Sequence, residues 1–359
     1  MHNASLLKII STYRSGKYAF SANFDPAEVN ITLTKARTLV GIIDSLPITS
    51  LIGDRFSPEG ILEEALKAAS SIDNASTTLE DAKKAFSHAL SLDPAHGLSE
   101  SAIKDIQQLF STRQTVNQFT PGQYHDPPPT PARDMTGAST AHVETFSSTR
   151  ILSDVKLLML EFASWINRPE VIELGPETRA VLARFHLSAI RPFAVANAET
   201  AVAIESMLLS QAGLKYQSAL APAFYAAHAA EYRDVVERTL RAKEHDVTAL
   251  LSFCFNGQVD GLNGILDEFK QTLSGLALRT RIESLREERR ITRGQFDLLS
   301  VMMKEGASEP VTLKKLLRDE PYRLIYRGKS ERTARRDLLR LVELKLLKPL
   351  GERGYALSG

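Results

Sequence analysis

Along most of this 359-residue chain the apolar residues recur three and four positions apart, the spacing that lays them on one face of a helix. The segment Pro58–Ile72 shows it well. Pro58 stands near a helix start, Glu59, Glu63 and Glu64 come early, and Ile61, Leu62, Ala65, Ala68 and Ile72 make an apolar stripe. Thr78–Leu90 repeats the pattern, and so does Ser99–Asn117, with Ser99 at its start and Glu100 in its first turn. Stripes of this kind must be buried against other helices, so the expected fold is mainly α. With 43% of residues apolar and 24% charged, the chain has core enough for one to three domains.

Further helices are expected at Leu6–Ile10 and Pro26–Ser45, around a turn near Ser15–Ser21, and then at Ile151–Ile166, Pro176–Ala189, Ala198–Ala212, Ala221–Leu240 and Val247–Arg290. The last is long for one uninterrupted helix, and Gly257, Gly261, Gly264 and Gly275 are its expected breaks. Phe119–Thr140 departs from the pattern. Four prolines between Pro127 and Pro131, with Gly122 and Gly137, make it an irregular or hairpin-like excursion.

The lone Cys254 excludes an internal disulfide and any multi-cysteine metal site, and its setting in LLSFCFNG reads as a buried thiol. Lys8, Arg14 and Lys17 interrupt the first apolar run, and no stretch approaches 18 uncharged apolar residues. The expectation is a soluble, cytoplasmic protein. The net charge of +1 conceals a division: from Arg279 onward there are 20 Lys/Arg against 12 Asp/Glu, so the last part carries +8 and the remainder −7. A basic end on an acidic body suggests a nucleic-acid partner.

That basic end has its own organisation. Thr292–Lys304 reads as an amphipathic helix with Phe296, Leu299 and Met303 inward, Gly306–Pro310 as a turn and Val311–Leu317 as a short helix. Arg318–Lys329 is longer than a tight turn and leaves room for extra structure. Ser330 caps Glu331–Leu346, whose Ala334, Leu338, Leu341 and Val342 form one apolar stripe, and residues 348–357 read as a β-hairpin around Gly351–Gly354. Three helices and a hairpin is the order of a winged helix-turn-helix. The segment from Ser330 resembles the recognition helix of bacterial winged-helix regulators, with its Ser-x-x-Thr-x-x-Arg-Asp-Leu run. Arg332, Arg336 and Arg340, flanked by Arg335, project away from the stripe toward phosphates or guanine edges. Ser330 and Thr333 stand at the helix N-terminus, and Arg353 at the hairpin tip. Asp337 is expected to pair with Arg336 or Arg340, and Arg286–Arg290 to be a solvated helix end.

The densest local signal upstream is Phe185–Val202, two helices joined by a loop at Ile190–Asn197, with Asn197 as the expected cap of the second. A helix N-terminus of this kind offers unpaired N–H groups to an anion. The wording resembles the Fic (Fic/Doc) family, whose motif runs His-Pro-Phe, any residue, Asp or Glu, Gly-Asn-Gly-Arg, two residues and Arg. Here the matching positions read Arg191-Pro192-Phe193-Ala194-Val195-Ala196-Asn197-Ala198-Glu199-Thr200-Ala201-Val202. Pro121–Tyr124 stands where the family has a strand-and-loop flap, Phe162–Ile166 with Trp165 precedes the motif, and His228-Ala-Ala-Glu-Tyr232 follows it. The resemblance covers about Pro58 to Asp267. It implies a Fic-like helical domain with a short β-hairpin flap, followed by the winged helix-turn-helix. The implied division is 1–57 as a helical segment packing on the core, 58–275 as the Fic-like domain, 276–291 as a helical linker and 292–359 as the winged helix.

Family members generally move AMP from ATP onto a protein hydroxyl, and the departures here remove that chemistry piece by piece. Arg191 replaces the histidine base and stays protonated. Val195 replaces the carboxylate that holds Mg²⁺ and offers no oxygen. Ala196 and Ala198 replace the two glycines, Glu199 the phosphate-clamping arginine and Val202 the second arginine. Pro192, Phe193 and Asn197 remain, each with a structural use. The family's inhibitory helix, Ser or Thr, three residues, then Glu and Gly or Asn, maps onto Ala69, Asp73 and Asn74, altered together with their target. His186 reads as a packing histidine, and His228 with Glu231 as a helix-face pair.

The resulting expectation is a catalytically inactive Fic-like protein that acts as a DNA-binding or regulatory protein through its basic end. ATP and Mg²⁺ binding is expected to be weak or absent, with Arg191 and Asn197 as the remnant anion site, and no metal site is assigned. The alternatives are a protein adenylyltransferase with a non-standard active site or a protein-interaction scaffold. Partners in view are double-stranded DNA, a protein at the groove near Tyr124 and a second copy of the chain, with no membrane.

Overall fold

Local chemistry sets most of the helix boundaries in the computed structural model, which describes residues 6–46, 54–70, 77–110, 120–124, 151–304 and 310–358. Helix α1 (Pro26–Ser45) opens where the Asp25 carboxylate accepts from the Ala27 N–H at 2.9 Å and Pro26 fills a position that needs no N–H. Helices α2 (Pro58–Ser70), α3 (Leu79–Ser91) and α4 (Glu100–Phe110) follow, and Thr78 caps α3 by accepting from the Asp81 N–H. Asp73, Asn74, the end expected for α4 at Asn117 and most of the proline-rich segment lie outside the described residues.

The chain divides into two compact units, Met1–Ile265 and Leu266–Gly359. The first is built on α5 (Leu152–Ile166), α6 (Pro176–Ile190) and α7 (Asn197–Gln211). Helix α7 touches α3, α4, α6 and α8 (Lys215–Ala227), so it is buried on nearly every side and shows little amphipathic contrast. Phe162, Trp165 and Ile166 of α5 join Leu182 and Ile204 in its core.

Three expected elements of the chain before residue 290 need correction here. Leu6–Ile10 is not helix: β1 (Lys8–Ser11) pairs antiparallel with β2 (Lys17–Phe20), Ile9 opposite Ala19. The cause is remote in sequence. The buried Asp154 carboxylate of α5 accepts from the Tyr13, Arg14 and Ser15 N–H groups at 2.7, 3.1 and 2.8 Å and from the Ser15 hydroxyl at 2.6 Å, which fixes the hairpin tip.

Ala221–Leu240 is not one helix either. Helix α8 starts earlier, at Lys215, and gives way to α9 (Ala229–Leu240) at His228, whose ring Nδ1 donates to the Phe224 carbonyl at 2.9 Å. Pro222 sits inside α8 and cannot bond the Ser218 carbonyl four residues back. The Ser206 hydroxyl of α7 donates to that carbonyl instead, at 2.9 Å.

The third correction concerns the glycine-rich segment, which forms one helix, α10 (Thr248–Glu287). Gly257 does not break it because the missing side chain is a seat for a neighbour: a Cβ there would lie 2.2 Å from the Phe224 ring. The close packing outweighs the roughly 1 kcal/mol that glycine costs in a helix.

The second unit comprises the end of α10, α11 (Arg293–Lys304), α12 (Leu313–Arg318), a short turn of helix at Tyr322–Ile325, α13 (Glu331–Glu343), and the antiparallel pair β3 (Leu347–Pro349) and β4 (Tyr355–Leu357). Its core contains Leu298, Leu316, Ala334, Leu338, Leu341 and Leu346. The inward face of α11 is Leu298, Leu299 and Met302; Phe296 and Met303 are only half-buried, with the Arg286 guanidinium 4.1 Å over the Phe296 ring. Val311 is not helical, since its N–H and carbonyl both bond Tyr355, at 2.7 and 3.0 Å. Gly354 permits that approach: its φ is +100°, and a Cβ would sit 2.6 Å from the Val311 oxygen. Helix α13 stops at Glu343, short of Leu346, because Lys345 turns left-handed at φ 55°. The turn expected at Gly306–Pro310 falls largely outside the described residues.

Candidate functional site

Two places gather the residues singled out from the sequence, one in each unit. In the first unit α6 ends at Arg191 and α7 begins at Asn197. Both hinges of the connecting loop are left-handed and neither is glycine: Arg191 has φ 51° and Ala196 φ 58°. Such positions cost a side-chain-bearing residue on the order of 1 kcal/mol each.

Asn197 does not cap α7, contrary to expectation; Ala196 is the cap residue, and no side chain caps the helix. The Asn197 side chain instead closes the loop on itself. Its Oδ1 accepts from the Phe193 N–H at 3.0 Å and its Nδ2 donates to the Phe193 carbonyl at 2.7 Å. Buried Gln107 of α4 supports the loop from below, donating to the Val195 carbonyl at 3.2 Å and accepting from the Gly122 N–H at 2.7 Å. Phe193 is buried, 5.4 Å from the Tyr124 ring, and the Tyr124 hydroxyl donates to Glu100 at 2.7 Å. Residues 121–124 form a turn rather than a strand, held down at Gly122 and Tyr124.

The loop's charges sit close together. Arg191 is half-buried; burial and the neighbouring Arg233 both lower its affinity for a proton, and Glu199 raises it. Val195 and Glu199 are half-buried, Val202 is buried and Ala198 is exposed. Ala69 lies on α2 and is half-buried.

His186, one turn before the loop, is fully buried among Phe20, Trp165 and Phe185, with ring centroids 5.0, 4.9 and 4.8 Å away. It shares a 2.8 Å hydrogen bond with the Tyr18 hydroxyl through Nδ1, and burial pushes its pKa down to about 3. The ring is therefore neutral and enclosed. His228 does not pair with Glu231; it serves the end of α8 as described above.

Sequence reading missed a buried polar cluster in this unit. The Arg184 guanidinium of α6 stacks 3.0 Å from the ring centre of Tyr225 and 3.8 Å from that of Tyr232, with the Glu205 carboxylate of α7 3.7 Å away. Tyr225 donates to Glu205 at 3.0 Å. Burial raises the Glu205 pKa to about 7 against the opposing pull of Arg184 and Tyr225, and raises Cys254 nearby to about 12. Within the protein Arg184 Nε and Nη1, Glu205 Oε2 and the Tyr232 hydroxyl make no hydrogen bond. The available signal was an arginine and a glutamate each set in an otherwise apolar helical run.

In the second unit, α13 presents a different arrangement. The Ser330 hydroxyl caps it by accepting from the Thr333 N–H, and it lies 3.1 Å from the Thr333 hydroxyl. Arg332, Arg335, Arg336 and Arg340 are all exposed on the side away from Ala334, Leu338 and Leu341, with Leu339, 51% exposed, among them. Glu331 lies 3.8 Å from Arg335 and Glu343 2.9 Å from Arg340. Asp337 pairs with neither Arg336 nor Arg340. It is buried, accepting from Gln295 Nε2 at 2.9 Å and from the Tyr326 hydroxyl at 3.4 Å, so its charge is withdrawn from the arginine face. Arg353 is exposed at the tip between β3 and β4.

Among the described residues no helix is long and apolar enough to cross a membrane. No protein-family model matches the chain. Among solved structures it is similar to a Fic family protein from Desulfovibrio desulfuricans G20, at 14% identity over 95% of this chain and 99% of that one, with a TM-score of 0.48. It is also similar to Fic-1 from C. elegans, at 13% identity over 69% of this chain and 75% of that chain, with a TM-score of 0.42.

Proposed function

We propose that the chain is a Fic-like protein without nucleotide-transfer activity that binds duplex DNA through α13, in the manner of a winged helix. One observation carries the reading: four arginines are displayed on the outer face of α13 while the helix's central carboxylate, Asp337, is buried behind them. In this reading Arg332 and Arg336 face the major groove, Ser330 and Thr333 meet a phosphate at the helix N-terminus, and Leu339 offers apolar contact to a thymine methyl. Arg353 reaches the backbone or minor groove from the hairpin tip, and its exposure supports that role.

The residues of the α6–α7 loop do not fit a magnesium nucleotide. Val195 carries no oxygen ligand on its side chain, and its carbonyl is already bonded to Gln107. Ala196 places a methyl group at a left-handed hinge, and Glu199 puts a carboxylate in the first turn of α7, where phosphates would need positive charge. His186 is enclosed and does not replace the missing base. We derive no step through ATP.

The test is fluorescence anisotropy of the full chain with labelled duplex DNA between low and physiological salt. Binding should weaken steeply with salt, with a log–log slope that reflects the phosphates contacted. Absence of binding at low salt overturns the reading. Incubation with radiolabelled ATP, Mg²⁺ and candidate target proteins should yield no labelled protein, and labelling that depends on Asn197 would restore the adenylyltransferase alternative.

A further inference from the structure

An open groove of about 840 Å³ runs along the end of α10 in the second unit. From Lys270 to Arg281 only Leu278 is buried, and Leu276 is 46% exposed. Leu273, Ala277, Thr280 and Ser284 line the groove at spacings of four, three and four, the seam of a two-helix coiled coil. The opposite wall is Leu344 and Lys345, fastened to α10 by Arg281, which donates to the Leu344 carbonyl at 2.9 Å.

The charges beside this seam identify what covers it. Laid antiparallel against itself about the midpoint between Ala277 and Thr280, the helix sets Leu273 opposite Ser284 of a second copy and Ala277 opposite its Thr280. The same register brings Lys270 opposite Glu287, a pair of opposite sign that the two-fold relation repeats at the other end of the seam. A parallel pairing would set each charge against its own kind. The contact of Lys270 with Asp267 within one chain, at 3.1 Å, is exposed at both ends and competes weakly.

We infer that two copies of the chain associate through antiparallel packing of the Lys270–Glu287 stretch of α10. The seam is about 27 Å long, at a rise of about 1.5 Å per residue. It is shorter than a standard protein interface requires, so the dimer is weak, with Kd on the order of 10 µM. The inference stands apart from the DNA reading. If both hold, two copies of α13 related by a two-fold axis match a palindromic duplex.

Sedimentation equilibrium of the full chain without DNA, from about 1 to about 100 µM, spans the range in which a dimer of that affinity forms. A reversible monomer–dimer equilibrium is expected. Ala277→Glu, at an exposed position, should weaken it at least about tenfold, and Lys270→Glu by a smaller factor of about three to ten. Adding Glu287→Lys to Lys270→Glu should recover most of that loss, which general stickiness of the groove does not explain. A chain that stays monomeric across the range overturns the inference. So does a dimer indifferent to Ala277→Glu, or a double reversal no tighter than Lys270→Glu alone. Because DNA is absent from the measurement, its failure is distinguishable from failure of the DNA reading.

Discussion

Arg184 and Arg336 are the same residue type on two kinds of helix, one buried on nearly every side and one amphipathic, and their surroundings give them opposite uses. Arg184 is enclosed between two tyrosine rings, with a carboxylate near it and two of its nitrogens without a hydrogen bond in the protein. Arg336 stands in solvent on a helix whose central carboxylate, Asp337, has been drawn inward. A buried guanidinium is tied to the fold and cannot be moved without leaving a partner stranded; an exposed one is free to meet a ligand. Burial, rather than charge count, separates the charge that holds this molecule together from the charge available for recognition.

The largest effect that can break this contrast is expected at Arg184. Arg184→Ala empties the slot between Tyr225 and Tyr232 and, above about pH 7, leaves the Glu205 carboxylate buried without its cation, so there it should cost about 3–5 kcal/mol, read as a shift in the urea midpoint. Glu205 adds a pH signature. Its pKa is raised to about 7 in the folded state, so the folded chain holds a proton that the unfolded chain has already released. Its contribution is therefore greatest below the ordinary glutamate range and is lost as pH rises toward about 7. Glu205→Gln should flatten that slope. An unchanged slope would mean that Glu205 is ionised throughout, with Arg184 holding its charge.

On the other side of the comparison, replacing both Arg332 and Arg336 by alanine should leave thermal stability within about 0.5 kcal/mol and weaken DNA binding by about 10- to 100-fold. The salt slope should fall by about one for each phosphate contact removed. Arg335 and Arg340, which share their charge with Glu331 and Glu343, should each matter less. Equal losses at all four positions would indicate a diffuse electrostatic surface rather than a reading face.

The contrast also accounts for what the sequence disclosed. Helix α1 was legible to the residue because Asp25 and Pro26 act on their own neighbours. The arginine face of α13 was legible because its exposed and buried positions alternate with the helical period. The N-terminal hairpin was not, since its tip is held by Asp154, about 140 residues away. Nor was the fate of Asp337, whose partner Gln295 lies 42 residues upstream on another helix. Gly257 was misread for the same reason: its role is defined by Phe224 across a helix contact, whereas propensity records only the local cost. Asn197 was assigned to the right loop but given the wrong bond.

Asp154 offers an intermediate test of such remote anchoring. Burial opposes its charge, but the Ser15 hydroxyl and the N–H groups of Ser15, Tyr13 and Arg14 outweigh that and hold its pKa below the ordinary aspartate range. Its stabilisation is thus present above the ordinary value and is lost as pH falls through the lowered one. Asp154→Asn should remove that acid-side slope and cost about 2 kcal/mol at neutral pH, as charged acceptors become neutral. Hydrogen exchange should locate the change at residues 8–20. Exchange that rises uniformly across the first unit would show that the hairpin is not a separate element.

The smallest expected effect falls on the α6–α7 loop, where backbone strain and ligand chemistry can be told apart. Ala196 sits at φ 58°, a conformation glycine enters without a Cβ penalty. Ala196→Gly relieves on the order of 1 kcal/mol of that strain but adds backbone freedom to the unfolded chain, so the net gain should be about 0.5 kcal/mol or less. If the loop were a nucleotide site disabled only by crowding, the same change would also create measurable ATP binding by calorimetry. We expect none, because Glu199 still places a carboxylate in the first turn of α7 and Val195 still offers no side-chain ligand to a metal. Arg191→His added to Ala196→Gly should likewise give no AMP transfer: it adds a proton acceptor to a loop where the Glu199 carboxylate still opposes phosphate. Heat of ATP binding in either variant would show that one methyl group at the hinge closed the site, and the loop would then belong with the recognition surfaces rather than with the framework.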